Sequence, residues 1–310
     1  MMARKSSIIS SYKNKTAVET AAQWIFVSCA FVAVLAVVSI TVYMIVSGTP
    51  ALMNVGLKEI LFGTVWKPAA EDPSYGILYV ILTSIVGTLA AIVIGVPIGV
   101  CTAIFLAETA PKRMAAVVKP AVELLAGIPS VIYGLLGILI LNPLMYKMER
   151  IIFADSETHQ FTGGANLISA VLVLAVMILP TVINVSESAI KAVPEHLKSA
   201  SLAVGASRMQ TIFKVILPAA KSGIVAAIVL GVGRAIGEAM AISLVSGSSV
   251  NVPLPFNSVR FLTTAIVSEM GYATDTHRDV LFTIGLVLFV FIMLINITLT
   301  KILKHSNVEE

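Results

Sequence analysis

Six apolar stretches, each long enough to cross a bilayer, constrain this chain more than any other feature of its sequence. A hydrocarbon core about 30 Å thick requires ~20 helical residues. The stretches run from Gln23 to Val46, Tyr75 to Leu106, Val118 to Leu141, Asn166 to Ile190, Val215 to Val245 and Val280 to Leu303. Backbone polar groups in lipid must be satisfied within their own segment, so runs of this length form helices. The expected fold is all-α, a polytopic transmembrane bundle of about six spans. With 57% hydrophobic and only 12% charged residues, the chain lacks the charge a soluble domain of 310 residues would carry. The first stretch is too long for a signal-peptide core and is not followed by a small-x-small cleavage pattern, so it reads as a retained anchor.

The basic residues report topology. With the N-terminus inside, the inner segments hold Arg4, Lys5, Lys13, Lys15, Lys112, Arg113, Lys119, Lys191, Lys198, Arg208, Lys214, Lys221, Lys301 and Lys304. The outer segments hold Lys58, Lys67, Lys147, Arg150, Arg260 and Arg278. That is 14 against 6 of a total of 21, and the excess places both termini in the cytoplasm. The expected organisation is a cytoplasmic segment 1–22, a membrane domain 23–303 with a cytoplasmic loop at 191–218, and a cytoplasmic tail 304–310. Scattered in this way, the net charge of +4 is no nucleic-acid footprint. Cys29 and Cys101 fall inside apolar runs and read as small packing residues rather than disulfide or zinc ligands.

The second stretch contains Gly95, Pro97 and Gly99, a combination that predicts a kink or tilt. Gly87, Ala91, Gly95, Gly99 and Ala103 recur every four residues along it, and Gly223, Ala227, Gly231, Ala235 and Ala239 do so in the fifth. Such stripes let helix backbones approach closely in lipid and predict a packed bundle.

The loop between the fourth and fifth stretches carries its own helix signals. Pro194 suits a first turn, Glu195 the positive end of a helix, and Gly205 the left-handed position that closes one. Ser207 and Gln210 stand at capping-box spacing and start a second helix running through Phe213 towards Leu217 and Pro218. The expectation is a compact helical hairpin with Leu197, Leu202 and Val204 exposed, suited to a groove on a partner protein. An amphipathic connector lying on the membrane surface fits the same composition, and a DNA-reading helix-turn-helix fits it less well.

Within this loop Ser199-Ala200-Ser201, three residues, Gly205, nine residues and then Val215-Ile216-Leu217-Pro218 resemble the EAA loop of ABC importer permeases. The family usually carries Glu where this chain has Ser199, which affects only the contact made by that carboxylate. Further segments resemble the PstC-type permeases of phosphate-specific importers: Trp66-Lys67-Pro68, Tyr75-Gly76-Ile77, Gly87-Thr88-Leu89, Ala126 through Leu135, and Gly233-Arg234-Ala235-Ile236-Gly237-Glu238. The resemblance implies a MetI-like permease subunit in the bacterial cytoplasmic membrane, with no catalysis of its own. It implies a docking loop formed by Ser199, Ala200, Ser201, Gly205, Leu217 and Pro218. It also implies a second, PstA-like permease, two PstB-like ATPase subunits that hold ATP and Mg, and a PstS-like phosphate-binding protein outside, with no cofactor in this chain. The absence of a Gly-x-x-x-x-Gly-Lys-Ser/Thr loop agrees with an external energy source.

Arg234 is the one basic residue left within a span. A charge at that depth costs about 2.5–3.5 kcal/mol on insertion scales, so it must face protein or water. On a continuous helix Glu238 lies one turn away, with Gly231 and Ala235 on the same side and Val232, Ile236 and Met240 opposite. Two readings stay open: Arg234 and Glu238 as a substrate pathway in which phosphate exchanges with the carboxylate, or as a structural ion pair. The Ser246-Gly247-Ser248-Ser249 run offers donors to an anion or simply ends a helix. His159, His196, His277 and His305 show no metal-ligand spacing and read as solvated. The outer segments from Ser47 to Ser74, Asn142 to Ala165 and Ser246 to Asp279 supply surface for a binding protein without naming a contact. Another oxyanion permease (sulfate, molybdate or phosphonate), an ion-driven secondary transporter, and more distantly a membrane enzyme are the alternatives.

Overall fold

The computed structural model describes residues 2–306, with side chains for 19–298 and 301. The side chains of Arg4, Lys5, Lys13, Lys15, Lys304 and His305, and most of segments 1–22 and 304–310, lie outside the described residues. Among the described residues six helices are long and apolar enough to span a membrane: Glu19–Phe62, Leu78–Thr109, Ser130–Ile152, Leu167–Lys191, Arg208–Gly237 and Asp275–Thr298. They are numbered here as spans one to six.

Two spans depart from the expected stretches. The third was expected from Val118 to Leu141, but a helix at Lys112–Gly127 stops short of Pro129 and the span begins at Ser130. Pro129 lacks an amide hydrogen and forces its predecessor out of the helical region, so Ile128 is extended at φ −70°, ψ 127°. The preceding helix is an amphipathic piece carrying Lys112, Arg113 and Lys119 beside exposed Met114, Val117 and Leu124. The fifth was expected from Val215 to Val245 and instead runs Arg208–Gly237, with a separate short helix at Met240–Val245. Both arms of the expected hairpin form: Glu195–Ala203 is the first, and the second, starting after Ser207, is the opening of span five, joined to it through a π-helical turn at Ile212–Ile216.

Span four is the axis of the bundle: 61% of its apolar window is buried, against 28% in span two and 28% in span five. The small-residue stripes explain why. A Cβ on Gly95 would lie 2.6 Å from Ile178 Cδ1, and one on Gly99 2.8 Å from Val182 Cγ1. From the other flank, a Cβ on Gly231 would meet Val182 Cγ2 at 2.8 Å. Ile178 and Val182 are thus clasped between two glycine faces, the close approach that replaces the hydrophobic effect as a packing force in lipid. Span two stays helical through Pro97. Cys29 and Cys101 are both exposed, so they lie on the outside of the bundle rather than packing within it.

Span one contacts the bundle through its outer half. Thr283 of span six donates to the Gly48 carbonyl at 3.0 Å, and Tyr43 meets Phe282 edge-on at 5.4 Å. The outer loops are organised around two buried carboxylates. Glu149 accepts from the Thr162 amide at 2.9 Å and its hydroxyl at 3.1 Å, with His159 Nε2 2.8 Å away. Glu269 accepts from Arg260 and from Trp66 Nε1 at 3.2 Å, with His277 Nε2 at 2.7 Å. Trp66 arrives there on a short antiparallel hairpin, Trp66–Lys67 with Ser74–Tyr75. His159, stacked on Phe153 at 3.8 Å, and His277 are therefore structural members of these nodes and not solvated, since their side chains are only 11% and 13% exposed. His196 is exposed as expected.

Candidate functional site: an interrupted span and an inner docking element

The inner element is built from the signals the sequence carries. Helix Glu195–Ala203 is closed by Gly205 at φ +86°; the Gly205 amide donates to Leu202 O at 3.0 Å and the Ala206 amide to Ser201 O at 3.2 Å. This is the left-handed closure in which a glycine carries no Cβ penalty. The capping box forms as expected, with the Gln210 amide donating to Ser207 Oγ and the Ser207 amide to Gln210 Oε1.

Ser199 and Ala200 are exposed, and Ser199 Oγ donates to the Glu195 carbonyl at 3.0 Å. Ser201 Oγ and Thr211 Oγ1 lie 2.9 Å apart and join the helix to span five. Leu217 packs beside a small core containing Ala103, Ile190, Ile212 and Ile216, while Pro218 is exposed. Leu202 at 50% and Val204 at 84% exposure give the element an uncovered apolar tip.

Ion pairs that sequence reasoning missed brace this element. Lys198 Nζ lies 2.5 Å from Glu108 Oε1 on the last turn of span two, and Arg208 donates to the Glu108 carbonyl at 2.9 Å. Glu187 near the end of span four is paired with Lys191 at 2.5 Å and with Lys119 of the amphipathic helix at 3.5 Å. Only Glu187 and Lys191 stand at helical i,i+4 spacing, which is a signal the sequence did offer.

The second element lies deeper. Span five ends at Gly237, Glu238 is extended at φ −73°, ψ 128°, and its carboxylate accepts from the Ala241 amide at 2.9 Å. The expected Arg234–Glu238 pair is not formed. Because the helix stops one residue short of Glu238, the carboxylate leaves the helical register and caps Met240–Val245 instead. Among the described residues Arg234 makes a single hydrogen bond, from Nη1 to Thr181 Oγ1 of span four at 3.2 Å, and no ion pair.

The helical-wheel expectation holds for Gly231 and Ala235, both buried, but not for the residues placed opposite them. Val232 and Ile236, expected opposite the interior, are 2% and 6% exposed. Val232 lines an apolar cavity of about 510 Å³ with Ile85, Leu89, Ile228 and Phe291. The open face is instead that of Gly233 and Gly237, where a Cβ would meet nothing within 4 Å. Half-buried Arg234 borders that face.

The segment Ala126–Leu135 meets the short helix Met240–Val245 that follows Gly233–Glu238. Each of the two segments interrupts a helix, and Gly134 packs so closely on the Glu238-capped helix that a Cβ would lie 2.6 Å from Leu244 Cδ1 and 3.0 Å from Ala241 Cα. Thr263 completes the site by donating to the Glu238 carbonyl at 2.7 Å. The serine run beyond is a tight turn, with Gly247 at φ +88° and Ser248 at φ +66°. Its Ser248 and Ser249 amides already donate to Val259 O and Ser258 Oγ, which removes the backbone donors expected for an anion. Among the described residues no three His, Cys, Asp or Glu side chains gather as metal ligands.

Interrupted helices beside an intramembrane cation with no ion pair among the described residues, together with a short helix exposing an apolar tip, fit a transport-type integral membrane subunit. The comparisons agree. Residues 95–307 match the family described as "Binding-protein-dependent transport system inner membrane component". The chain is 38% identical to the probable ABC transporter permease protein YqgH of Bacillus subtilis over 303 residues, covering 95% of each. It is 34% identical to the phosphate transport system permease protein PstC of Xylella fastidiosa, covering 83% of this chain and 81% of that one. It is 32% identical to the probable PstC protein of Methanocaldococcus jannaschii, covering 80% and 82%. The fold is that of a chain of the MetNI methionine ABC transporter, at a TM-score of 0.51 and 22% identity over 74% of this chain and 94% of that one. The chain belongs to the family of binding-protein-dependent transport system inner membrane components. It is a multi-pass protein of the inner membrane and one component of a larger transport system.

Proposed function

We propose that this chain is the permease subunit of an ATP-driven importer and carries inorganic phosphate past Arg234. The observation that carries the reading is a guanidinium in a membrane span with one hydroxyl partner and no counter-ion among the described residues, and the open Gly233–Gly237 face beside it. Its planar fork matches phosphate oxygens. The relatives named as phosphate permeases, similar over most of the chain, support phosphate as the anion. Glu238 contributes by holding the interrupted backbone open rather than by pairing with Arg234, which revises its expected role in the pathway.

The loop at 191–218, with Ser199, Ala200, Ser201, Gly205, Leu217 and Pro218, receives an ATPase subunit. The exposed tip at Leu202 and Val204 supports that assignment. A second permease chain covers the Gly233–Gly237 face and completes the pathway. Two ATPase subunits hold ATP and Mg, and an external phosphate-binding protein delivers substrate to the outer loops.

The test is Arg234→Gln in the assembled complex. Uptake should fall about 10- to 100-fold, the worth of ~1.5–3 kcal/mol for a charge-assisted hydrogen bond. Undiminished uptake with all subunits present would refute the pathway. Vesicles given ATP but no ion gradient should still accumulate phosphate, and accumulation that follows only a gradient would move the chain to the secondary transporters.

A further inference from the structure

We propose that Glu108 and Lys198 form the joint through which motion of the docking helix enters span two, making Glu108 a coupling residue of the transport cycle. The inference rests on the docking reading above. A helix of nine residues lies between Pro194 and Gly205; at its far end Gly205, at φ +86° with nothing within 4 Å of where a Cβ would stand, offers no stop. A push on such a helix would be dissipated unless something bound its middle to the bundle. Two contacts do. Ser201 meets Thr211 of span five, and Lys198 meets Glu108 of span two, 90 residues earlier in the chain.

The second contact is the stronger. Its side chains are only 17% and 11% exposed, so salt screens the pair less than it would an exposed one. The competing Glu195 carboxylate is 81% exposed and lies 3.8 Å from Lys198. Glu108 also receives Arg208 on its backbone carbonyl, so the loop's two arms converge on one residue.

What lies beyond Glu108 gives the joint its consequence. Span two is locked to span four by Gly95 and Gly99, and at its outer end Ser84 Oγ accepts from the Leu262 amide at 2.9 Å. The next residue, Thr263, donates to the Glu238 carbonyl at the interruption of span five. A displacement of span two at Glu108 therefore reaches the segment that holds the interrupted helix, by a chain of contacts independent of span five itself. Spatial continuity alone does not establish coupling; an energetic cycle does.

Glu108 lies outside the docking loop, so Glu108→Gln should leave the ATPase subunits bound and hydrolysing ATP. Phosphate uptake per ATP hydrolysed should fall about fivefold, within the range that single links of a coupling network carry. The exchange Glu108→Lys with Lys198→Glu should restore the ratio to at least about half of wild type by reversing the same pair. Should Glu108→Gln not assemble, Glu108→Asp keeps the charge and shortens its reach, and it should lower the same ratio by a smaller factor. An unchanged ratio in the assembled single variant, or an exchange that assembles without recovering it, would overturn the proposal. Ala200→Trp reports on the docking reading separately: it should release the ATPase subunits, and their full retention would defeat that reading whatever Glu108 does.

Discussion

The outer and inner rims of the bundle each rest on two carboxylates, and they use them differently. Outside, Glu149 is 0% and Glu269 4% exposed; each gathers several partners, from the outer loops and, for His277, from the first turn of span six. Inside, Glu187 and Glu108 rely on lysines, and the two that meet Glu187 are 45% and 49% exposed. A lysine is a point charge on a flexible stem, whereas Arg260 and the rings of Trp66, His159 and His277 are planar groups with few ways to follow a moving partner. The outer rim is built to hold its shape, and the inner rim to keep contact while its elements shift. That is the distribution expected of a subunit driven from the inside.

The contrast breaks first at Glu269. Glu269→Ala strips Arg260 of its only carboxylate among the described residues and frees the Trp66 indole and the His277 ring in a buried site. Removing one partner of a buried pair costs about 3–5 kcal/mol, so the purified protein should melt far below wild type or fail to accumulate in the membrane. A loss under ~1 kcal/mol, the scale of an exposed pair, would erase the distinction between the rims. Glu149→Gln is milder. The amide still accepts from Thr162 through its oxygen, but its nitrogen is a donor placed where the carboxylate accepted, and the expected loss is about 1–3 kcal/mol in the same thermal assay. An Asp at that position, too short to reach both Thr162 and His159, should not recover it.

How far the sequence revealed these features follows from the range of the interaction involved. The six spans, the glycine faces that clasp Ile178 and Val182, the left-handed Gly205 and the Ser207–Gln210 box depend on periodicity or on residues within a turn, and all could be read in advance. The interruptions at Ile128–Pro129 and Glu238 could not be placed by hydropathy, because apolar residues continue on both sides of each. Pro129 was a local signal that the apolar run concealed. Glu238 gave none, since its cap depends on a helix that forms only where Gly134 leaves room against Ala241. That is also why Arg234 and Glu238, four residues apart, suggested a pair the backbone does not make. The nodes at Glu149, Glu269 and Glu108 join residues separated by loops or by 90 positions, and no spacing rule reaches that far.

The smallest predicted effect separates the rims most sharply, because Glu187 is itself as buried as Glu269. Its side chain is 4% exposed, yet both of its cations reach in from solvent, at 45% and 49% exposure. When the charge goes, Lys119 and Lys191 can turn back to water without desolvation strain, and a glutamine oxygen can still accept from one of them. Glu187→Gln should therefore cost no more than about 1 kcal/mol, the ordinary scale of an exposed pair. The difference from wild type should shrink further as salt rises from ~0.01 to ~1 M and the screening length falls from about 30 to 3 Å. Glu269→Ala should show no such dependence, its partners being shielded from the ions. Parallel melts of the two variants at both salt concentrations would measure the contrast directly. A salt-insensitive loss of ~3 kcal/mol at Glu187, the scale of a broken buried pair, would mean that the inner rim is as fixed as the outer one.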